Sequence, residues 1–243
     1  MSAPAAGLGA VLFDMDGTLV DTETLWWEAT AETAARLGHA LGPADAPEVV
    51  GRAVRDTAAH LVRVTGRGEP AAVGAELTEG FHRRVAQGAP IRPGAQILLT
   101  ALEAEGVPFA LVSASPRVIV DQVVGGALAH VPFAFTLSAD DTARTKPHPD
   151  PYREAAGRLG FAPERCVAVE DSPDGAASAE AAGCALLVVP SLLDVPRSRA
   201  RTFAASLEDV TPEFLRDCLD AGQGAGPDRD QVDRTSSSRM PSA

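Results

Sequence analysis

The 243-residue sequence lacks several features that mark particular classes of protein. Its longest apolar run, Ala185–Pro190 with its flanks, falls far short of the roughly 18 residues that a membrane span needs. No Lys or Arg precedes the apolar stretch near the N-terminus, so we expect no secretory signal. Cys166, Cys184 and Cys218 are odd in number and widely spaced, which argues against a disulfide framework or a CxxC metal site. Their pattern favours a reducing cytoplasm.

Positive charge is also scarce. The chain has 21 Lys and Arg against 33 Asp and Glu, and its net charge of −12 argues against nucleic acid or anionic membrane as a partner. Lys146 is the only lysine, and it lies in Thr145-Lys146-Pro147-His148-Pro149, where prolines stiffen the backbone. A single ammonium in a stiffened loop indicates a specific ligand for an anion, whereas the alternative is an exposed loop lysine.

The content of 45% hydrophobic and 22% charged residues is typical of a folded globular protein. Short apolar runs alternate with helical patterns, which predicts an α/β fold with a Rossmann-like, doubly wound parallel sheet. The predicted strands are Gly9–Asp14, Phe109–Ser113, Phe133–Leu137, Cys166–Glu170 and Ala185–Val189, and the predicted helices between them are Arg117–Leu128, Pro151–Leu159 and Asp174–Ala182. Such sheets bind ligands beyond the carboxyl ends of their strands, where Asp14, Ser113 and Glu170 lie.

Residues 22–91 interrupt this alternation with three helical patterns that end at Gly38, Gly66 and Gly88. We expect a small all-helical cap inserted after the first strand, acting as a lid over a core of residues 9–21 and 92–220. The alternative is a bundle that only completes the fold. Residues 221–243 lose apolar periodicity and are predicted to be a disordered tail.

Two acidic clusters follow predicted strands. Asp14 and Asp16 stand two apart before Gly17, and Glu170-Asp171 ends a later strand. Carboxylates that folding brings together repel one another, and a divalent cation between them removes that repulsion. Oxygen ligands without a His or Cys pattern favour Mg²⁺ over Zn²⁺. For the first cluster, an Asx-turn or a helix cap is the simpler alternative.

Ser113-Ala114-Ser115-Pro116 predicts a helix start at the same edge of the sheet, with Ser115 as the N-cap and Pro116 at the first helical position. The free N–H groups of such a helix, together with a hydroxyl, suit a phosphate group. Ordinary capping with no ligand is the alternative.

The ordered set of Asp14-Met-Asp-Gly-Thr, Ser113, Lys146 and Glu170-Asp171 resembles the four motifs of the haloacid dehalogenase superfamily. The resemblance extends over residues 9–219. It is closest to the subfamily of β-phosphoglucomutases and sugar-phosphate phosphatases, which carry a helical cap after the first strand. The chain is therefore expected to be an enzyme of that fold.

For the acidic residues, the resemblance implies that Asp14 is the nucleophile and a Mg²⁺ ligand. It makes Asp16 the general acid and base, with its backbone carbonyl also on the metal, and it makes Asp171 and Glu170 metal ligands, the latter directly or through water. A metal and an ammonium beside Asp14 favour its ionised form, which is the form that attacks.

For phosphate binding, the resemblance assigns Ser113 to the phosphoryl oxygens and Lys146 to their neutralisation. The backbone N–H near Ala114 is a further donor, because a transferring phosphoryl group spreads negative charge over three oxygens.

Two activities of the superfamily do not fit. Its carbon–halogen hydrolases lack the second Asp and the metal, and its phosphonate hydrolases need a lysine in the cap, where this chain has none. Mutases of the subfamily carry a His five residues after the position of Asp21, where this chain has Trp26. The run from Asp21 to Trp26 is similar to the opening of hexose- and hexitol-phosphate phosphatases.

The cap run Gly51-Arg52-Ala-Val-Arg55 resembles a loop that reads the substrate, so Gly51, Arg52, Arg55 and Trp26 are candidate specificity residues. Packing for Trp26 and a surface ion pair for Arg55 are the alternatives. The sequence thus predicts a Mg²⁺-dependent phosphatase of a small phosphorylated metabolite, a sugar or polyol phosphate, that is a monomer or a weak oligomer. A sugar-phosphate mutase, or a phospho-accepting signalling or binding domain without turnover, stays as an alternative.

Overall fold

The structure, a computed structural model, describes residues 7–224. Its centre is a six-stranded sheet in which every neighbouring pair is parallel, in the order β3-β2-β1-β4-β5-β6. The strands are β1 (Ala10–Phe13), β2 (Phe109–Val112), β3 (Thr136–Leu137), β4 (Cys166–Glu170), β5 (Ala185–Val188) and β6 (Arg201–Phe203). The predicted α/β fold with a parallel sheet is confirmed.

Helices cover both faces of the sheet. Every residue of β1, β2, β4 and β5 is buried, and alternate side chains point to opposite faces, as a strand requires. Val11 and Phe13 pack with one apolar layer, and Ala10 and Leu12 pack with the other. The first layer includes residues of α5 (Ala95–Ala104), α6 (Arg117–Gly125) and α9 (Pro212–Gly224), and the second includes residues of α7 (Asp150–Leu159) and α8 (Pro173–Ala182).

The strand order brings the chemistry-bearing residues to one edge. In register, Phe13 lies between Leu111 of β2 and Val169 of β4. The next residue of the first strand, Asp14, therefore emerges next to the ends of β2 and β4. From β1 the chain adds β2 and β3 on one side of the sheet and then β4, β5 and β6 on the other side. A crevice opens where the strand order reverses in this way, as is usual in open α/β sheets.

Between β1 and α5 lie the helices α1 (Thr22–Arg36), α2 (Ala46–Val49), α3 (Val54–Thr65) and α4 (Pro70–Gln87). The Asp21 side chain caps α1 by accepting a hydrogen bond from the Thr24 N–H at 3.0 Å, and Gly66 ends α3 in the left-handed conformation. These helices share a small apolar core of their own, formed by Ala34, Ala58, Leu61, Val73 and Leu77. We call this helical segment the cap.

Three predictions of secondary structure need correction. Of Phe133–Leu137, only Thr136–Leu137 forms a strand, because the Phe133 N–H donates to the Val131 carbonyl at 2.9 Å in a tight turn instead of pairing with a neighbouring strand. The half-buried edge strand β6 and the helices α5 and α9 were not predicted. Helix α9 extends to Gly224, so a tail starting at residue 221 is placed too early, and residues 225–243 lie outside the described part of the chain.

The sequence predicts neither a membrane span nor a disulfide framework, and the structure provides an observation on each. Among residues 7–224, no helix has both the length and the apolar character that a membrane crossing requires. Cys166, Cys184 and Cys218, all within this range, are buried and form no disulfide.

Candidate active site

Lys146 joins two carboxylates at the carboxyl edge of the sheet. Its Nζ atom lies 2.6 Å from Asp14 Oδ1 and 2.6 Å from Glu170 Oε1. All three side chains are buried, and Glu170 is completely inaccessible. The backbone N–H of Asp14 donates to the Val169 carbonyl at 3.0 Å, which continues the pairing of β1 with β4 and fixes where the carboxylate begins. The alternative of an exposed loop lysine is therefore excluded.

Glu170 is held by further donors. The hydroxyl of Tyr152, from α7, donates to Glu170 Oε1, and the Ser172 hydroxyl donates to Oε2 at 3.2 Å. Ser172 also caps α8 by accepting the Gly175 N–H at 3.1 Å. A Cβ atom on Gly175 would lie 2.0 Å from the Glu170 carboxylate, so only glycine leaves room for this acid.

Asp171 lies against Gly17 and Ser191. The Ser191 hydroxyl, in the loop after β5, donates to Asp171 Oδ2. Gly17 has φ +80°, and a Cβ atom there would lie 2.0 Å from the same oxygen. Glycine at position 17 thus serves both the turn and the close approach of the acid.

Asp14, Glu170 and Asp171 form a group that suits a cation. Their carboxylate oxygens lie within 4.8 Å of one another, and Asp14 Oδ2 is buried without a hydrogen-bond donor from the described residues. A buried carboxylate oxygen that lacks a donor is costly, and three adjacent acids share one ammonium. The set consists of hard oxygen ligands, so it fits a metal of the Mg²⁺ or Ca²⁺ type rather than a thiolate- or imidazole-binding one.

The pKa values show the same shortage of positive charge. Burial raises the pKa of the Asp14 carboxyl well above its usual range, and the opposing effect of Lys146 does not cancel this rise. Burial also raises the pKa of Asp171 to about 7, against the hydrogen bond from Ser191. Burial lowers the pKa of Lys146, but Asp14 and Glu170 more than offset that effect, so the amine stays charged.

Asp16 lies apart from this ion-pair cluster and accepts hydrogen bonds from hydroxyl groups. Thr22 donates to its Oδ1 at 2.7 Å, while Ser113 and Ser115 donate to its Oδ2 at 3.0 and 2.8 Å. The side chain is therefore oriented by residues of the cap helix α1 and of the loop after β2. This arrangement suits a group that exchanges protons at the cavity wall.

The predicted N-cap residue of helix α6 is wrong. Ser115 is not the N-cap, because the helix begins at Arg117 after Pro116 and the Ser115 hydroxyl bonds to Asp16 instead. The Arg117 N–H is also taken, since it donates to Asp140 Oδ2 at 2.8 Å. The helix start therefore offers a phosphate less than its sequence suggests. Ala114, in contrast, lines the cavity above Asp14.

Two adjoining cavities meet at Asp16. The first, which we call the acidic cavity, has a volume of about 520 Å³. It is lined by Asp14, Asp16, Glu23, Gly51, Arg52, Ala53, Ala114, Ser115, Lys146, Asp171, Ser172, Asp174 and Gly175. The second, of about 290 Å³, extends between α1, α4 and α6 and shares Asp16, Glu23, Gly51, Arg52 and Ser115 with the first.

Only some of the candidate specificity residues of the cap line a cavity. Trp26, Gly51 and Arg52 line the second cavity. Arg55 lines neither cavity, since its side chain is 87% exposed and lies 3.4 Å from Asp56, as in the surface-pair alternative. Trp26 also packs edge-on against Phe81, with 5.8 Å between the ring centroids. This side chain therefore both packs inside the cap and lines the cavity.

Sequence reasoning missed Thr22, Glu23, Ser115 as a partner of Asp16, Tyr152 and Ser191. Thr22 and Glu23 directly follow the first acidic motif, so their nearness to it was a usable signal. Tyr152 and Ser191 lie on a helix and a loop whose approach to the site depends on packing, and nothing local marked them.

Comparisons with known proteins agree with this geometry. A family model described as haloacid dehalogenase-like hydrolase matches residues 8–183. The chain is 34% identical over 204 residues to hexitol phosphatase A of Escherichia coli, covering 82% of this chain and 92% of that protein. It is 32% identical over 198 residues to the protein CbbY of Rhodobacter capsulatus, covering 76% and 86%.

Solved structures show the same likeness. A haloacid dehalogenase family hydrolase of Deinococcus radiodurans, with bound phosphate and sodium, is 31% identical with a TM-score of 0.69, covering 89% of this chain and 97% of that one. A mutant of CbbY from Rhodobacter sphaeroides, in complex with xylulose 1,5-bisphosphate, is 26% identical with a TM-score of 0.64, covering 83% and 96%. The resemblance stated from the motifs is confirmed: the chain is an enzyme of the phosphoric monoester hydrolase type and belongs to the haloacid dehalogenase-like hydrolase family.

Proposed function

We propose that this enzyme is a Mg²⁺-dependent phosphatase that hydrolyses a small sugar or polyol phosphate through an aspartyl-phosphate intermediate. The observation that carries the proposal is the position of Asp14. One of its oxygens bonds to Lys146 at 2.6 Å, and the other is buried beside the acidic cavity without a donor from residues 7–224. An oriented carboxylate without competing hydrogen bonds on one oxygen is suited to nucleophilic attack.

In the first step, an oxygen of the ionised Asp14 attacks phosphorus, and the bond from phosphorus to the ester oxygen breaks. Asp16 gives its proton to that oxygen, so the alcohol leaves uncharged. Lys146 lies next to the attacking carboxylate, where its charge stabilises the phosphoryl oxygens. The N–H of Ala114 at the cavity wall is a further donor in this proposal.

In the second step, water attacks the phosphorus of the aspartyl-phosphate, and the acyl phosphate bond breaks to release inorganic phosphate. Asp16, now ionised, takes the proton from that water. The hydroxyls of Thr22, Ser113 and Ser115 hold its carboxylate in one place through both transfers. Proton transfer by a positioned acid and base contributes about 10²–10⁴-fold to the rate.

Asp14, Glu170 and Asp171, with the backbone carbonyl of Asp16, would hold Mg²⁺. When bound, the ion neutralises phosphoryl charge and keeps the nucleophile ionised. Such a cation would stabilise the buried acids, since Asp14 Oδ2 has no hydrogen-bond donor among the described residues. The free, buried cysteines support a reducing compartment, and we include a cytoplasmic location in the proposal.

The substrate class rests on relatives and on the cavity. Two relatives are hexitol phosphatases, at 34% and 32% identity, and they cover most of this chain. The acidic cavity and its neighbour are large enough for a phosphoryl group and a small alcohol. Trp26, Gly51 and Arg52 are the cap residues that we assign to substrate selection.

The test measures inorganic phosphate release from a panel of hexose, pentose and hexitol phosphates. We expect turnover with Mg²⁺, loss of turnover with EDTA, and recovery when Mg²⁺ is restored. Asp14→Asn abolishes turnover with an unchanged circular dichroism spectrum, whereas Asp121→Asn, which alters an exposed carboxylate of α6, retains it. Turnover by Asp14→Asn, or in EDTA, would overturn the proposal.

The same assay separates a phosphatase from the other candidates. A mutase releases little free phosphate and depends on a bisphosphate activator. A phospho-accepting domain without turnover releases no more than one phosphate per protein molecule. Steady release over many turnovers without an activator is the result that we expect.

A further inference from the structure

We infer that the enzyme acts on phosphomonoesters with an uncharged alcohol portion and discriminates against substrates that carry a second phosphate. This inference rests on the proposed function and narrows its substrate class. It concerns the second cavity, which we call the leaving-group pocket. Its apolar walls are Trp26, Val54, Phe81, Pro116 and Ile119.

The aromatic walls of the pocket are fixed in place and offer no free donor. The indole N–H of Trp26 donates to the Val49 carbonyl at 3.0 Å, and its ring packs edge-on against Phe81. Ile119 approaches from the core helix α6. A ligand therefore meets rings and methyl groups here, which favour an apolar surface or the C–H face of a sugar.

The hydroxyl groups that line the pocket already donate within the protein. Thr22 and Ser115 donate to Asp16, and Thr78 donates to the Gly74 carbonyl at 2.9 Å. A phosphate group needs several donors to replace its hydration, and these three side chains would have to give up existing bonds to supply them.

The charged side chains around the pocket also give a second phosphate little attraction. Asp16 and Glu23 line its junction with the acidic cavity, and Arg52 is the only Lys or Arg among its described lining residues. The Arg52 Nε already donates to the Pro47 carbonyl at 2.9 Å. Arg55 points away into solvent beside Asp56. The Glu23 carboxylate offsets the charge of Arg52, so this pair of lining residues supplies no net positive charge to hold a dianionic group.

His82 is the remaining titratable side chain among the described lining residues of the pocket, and it lines the side formed by α4. The ring nitrogens of His82 can hydrogen-bond to a hydroxyl of a sugar or polyol. The pocket as a whole therefore matches a neutral alcohol with an apolar face and a few hydroxyls.

The test compares kcat/KM for matched pairs of substrates: glucose 6-phosphate with glucose 1,6-bisphosphate, and fructose 6-phosphate with fructose 1,6-bisphosphate. We expect the monophosphate of each pair to be favoured about tenfold or more. Val54 lies at the rim of the pocket, 37% exposed, and is the site for a charge change. Val54→Lys raises the relative kcat/KM for the bisphosphate about tenfold, whereas Val54→Met, similar in length but uncharged, does not.

Equal or better use of the bisphosphates by the wild type would overturn the inference, as would the same shift in both Val54 variants. Competition against p-nitrophenyl phosphate gives a second readout that needs no turnover of the sugar phosphates. Monophosphates should inhibit more strongly than bisphosphates, and equal inhibition, or none by either, would also overturn it. If the wild type hydrolyses neither p-nitrophenyl phosphate nor any sugar phosphate, the proposed function itself fails.

Discussion

Lys146 Nζ lies 2.6 Å from Asp14 Oδ1, although the two residues are 132 positions apart in the chain. The same ammonium contacts Glu170 at 2.6 Å, so one lysine compensates two buried carboxylates. A buried charge without a partner is far more costly than a buried pair. Lys146 is therefore important for stability as well as for the proposed chemistry.

We predict that Lys146→Met lowers phosphate release by about 10²–10³-fold and the free energy of unfolding by about 3 kcal/mol, because it leaves Asp14 and Glu170 without their cation. Lys146→Arg does not rescue activity, since a planar guanidinium does not replace a compact ammonium in a closed site. Steady-state assays and urea unfolding measure the two effects.

The matched control is Arg144→Met, which removes a cation from the same loop. Arg144 pairs with Asp150 at the surface, where an ion pair contributes about 0–1 kcal/mol. Near-normal activity and stability are expected. If the two variants lost the same activity and stability, Lys146 would have no role beyond that of an ordinary loop residue.

The centre of this site could be predicted from the sequence because its residues follow apolar strands. Asp14 and Glu170-Asp171 end such runs, and parallel strands place their carboxyl ends together. Lys146 was marked by its composition, as the only lysine, rather than by any local pattern. Both of these signals can be recognised in the sequence without knowing how the chain packs.

The rest of the site depends on contacts that no local pattern encodes. Ser115 has the sequence of an N-cap, yet its hydroxyl finds a stronger acceptor in Asp16, which lies 99 positions away in the chain. Arg55 matched a substrate-reading loop, but its side chain extends into solvent. Tyr152 reaches Glu170 only because α7 packs against the sheet. In each case the tertiary partner decides the outcome.

Tyr152 provides a milder test of the same cluster. Tyr152→Phe keeps the ring against the core and removes only the hydroxyl that donates to Glu170. Glu170 Oε1 still accepts from Lys146, so we expect a loss of about 1–2 kcal/mol in the free energy of unfolding and less than about tenfold in kcat. A loss of activity as large as that of Lys146→Met would mean that the hydroxyl takes part in the reaction.

The close approach of Gly17 to Asp171 gives a third prediction. In Gly17→Ala the new methyl group meets Asp171 Oδ2 at 2.0 Å, so the acid must move and the proposed metal site is disturbed. We expect strongly reduced phosphate release and a higher Mg²⁺ concentration for half-maximal rate.

Gly66→Ala is its control. Gly66 has φ +65°, close to the +80° of Gly17, but no atom of the described residues lies within 4 Å of its Cβ position. This variant should lose about 1 kcal/mol of stability from the backbone conformation alone and retain its activity. Equal losses of activity in the two alanine variants would assign the effect of Gly17→Ala to the backbone, not to Asp171.

A final prediction concerns the cap. Asp45 is buried and accepts hydrogen bonds from the Gly42 N–H at 2.9 Å, from His60 Nε2 at 2.7 Å and from His39 Nε2 at 3.1 Å. The hydrogen bond from Gly42, followed by that from His60, lowers the pKa of Asp45 to about 2. Because this pKa is below the usual value, ionised Asp45 stabilises the folded state above about pH 4, and this contribution is lost as the pH falls towards 2.

We therefore expect Asp45→Asn to lower the free energy of unfolding by about 1–2 kcal/mol at pH 7, with a smaller difference from the wild type at pH 3. Urea unfolding at both pH values measures this change. Asp56→Asn, which alters an exposed carboxylate of the same cap, should have little effect at either pH. A deficit in Asp45→Asn that is constant between pH 7 and pH 3 would show that shape, and not the charge of Asp45, stabilises this part of the cap.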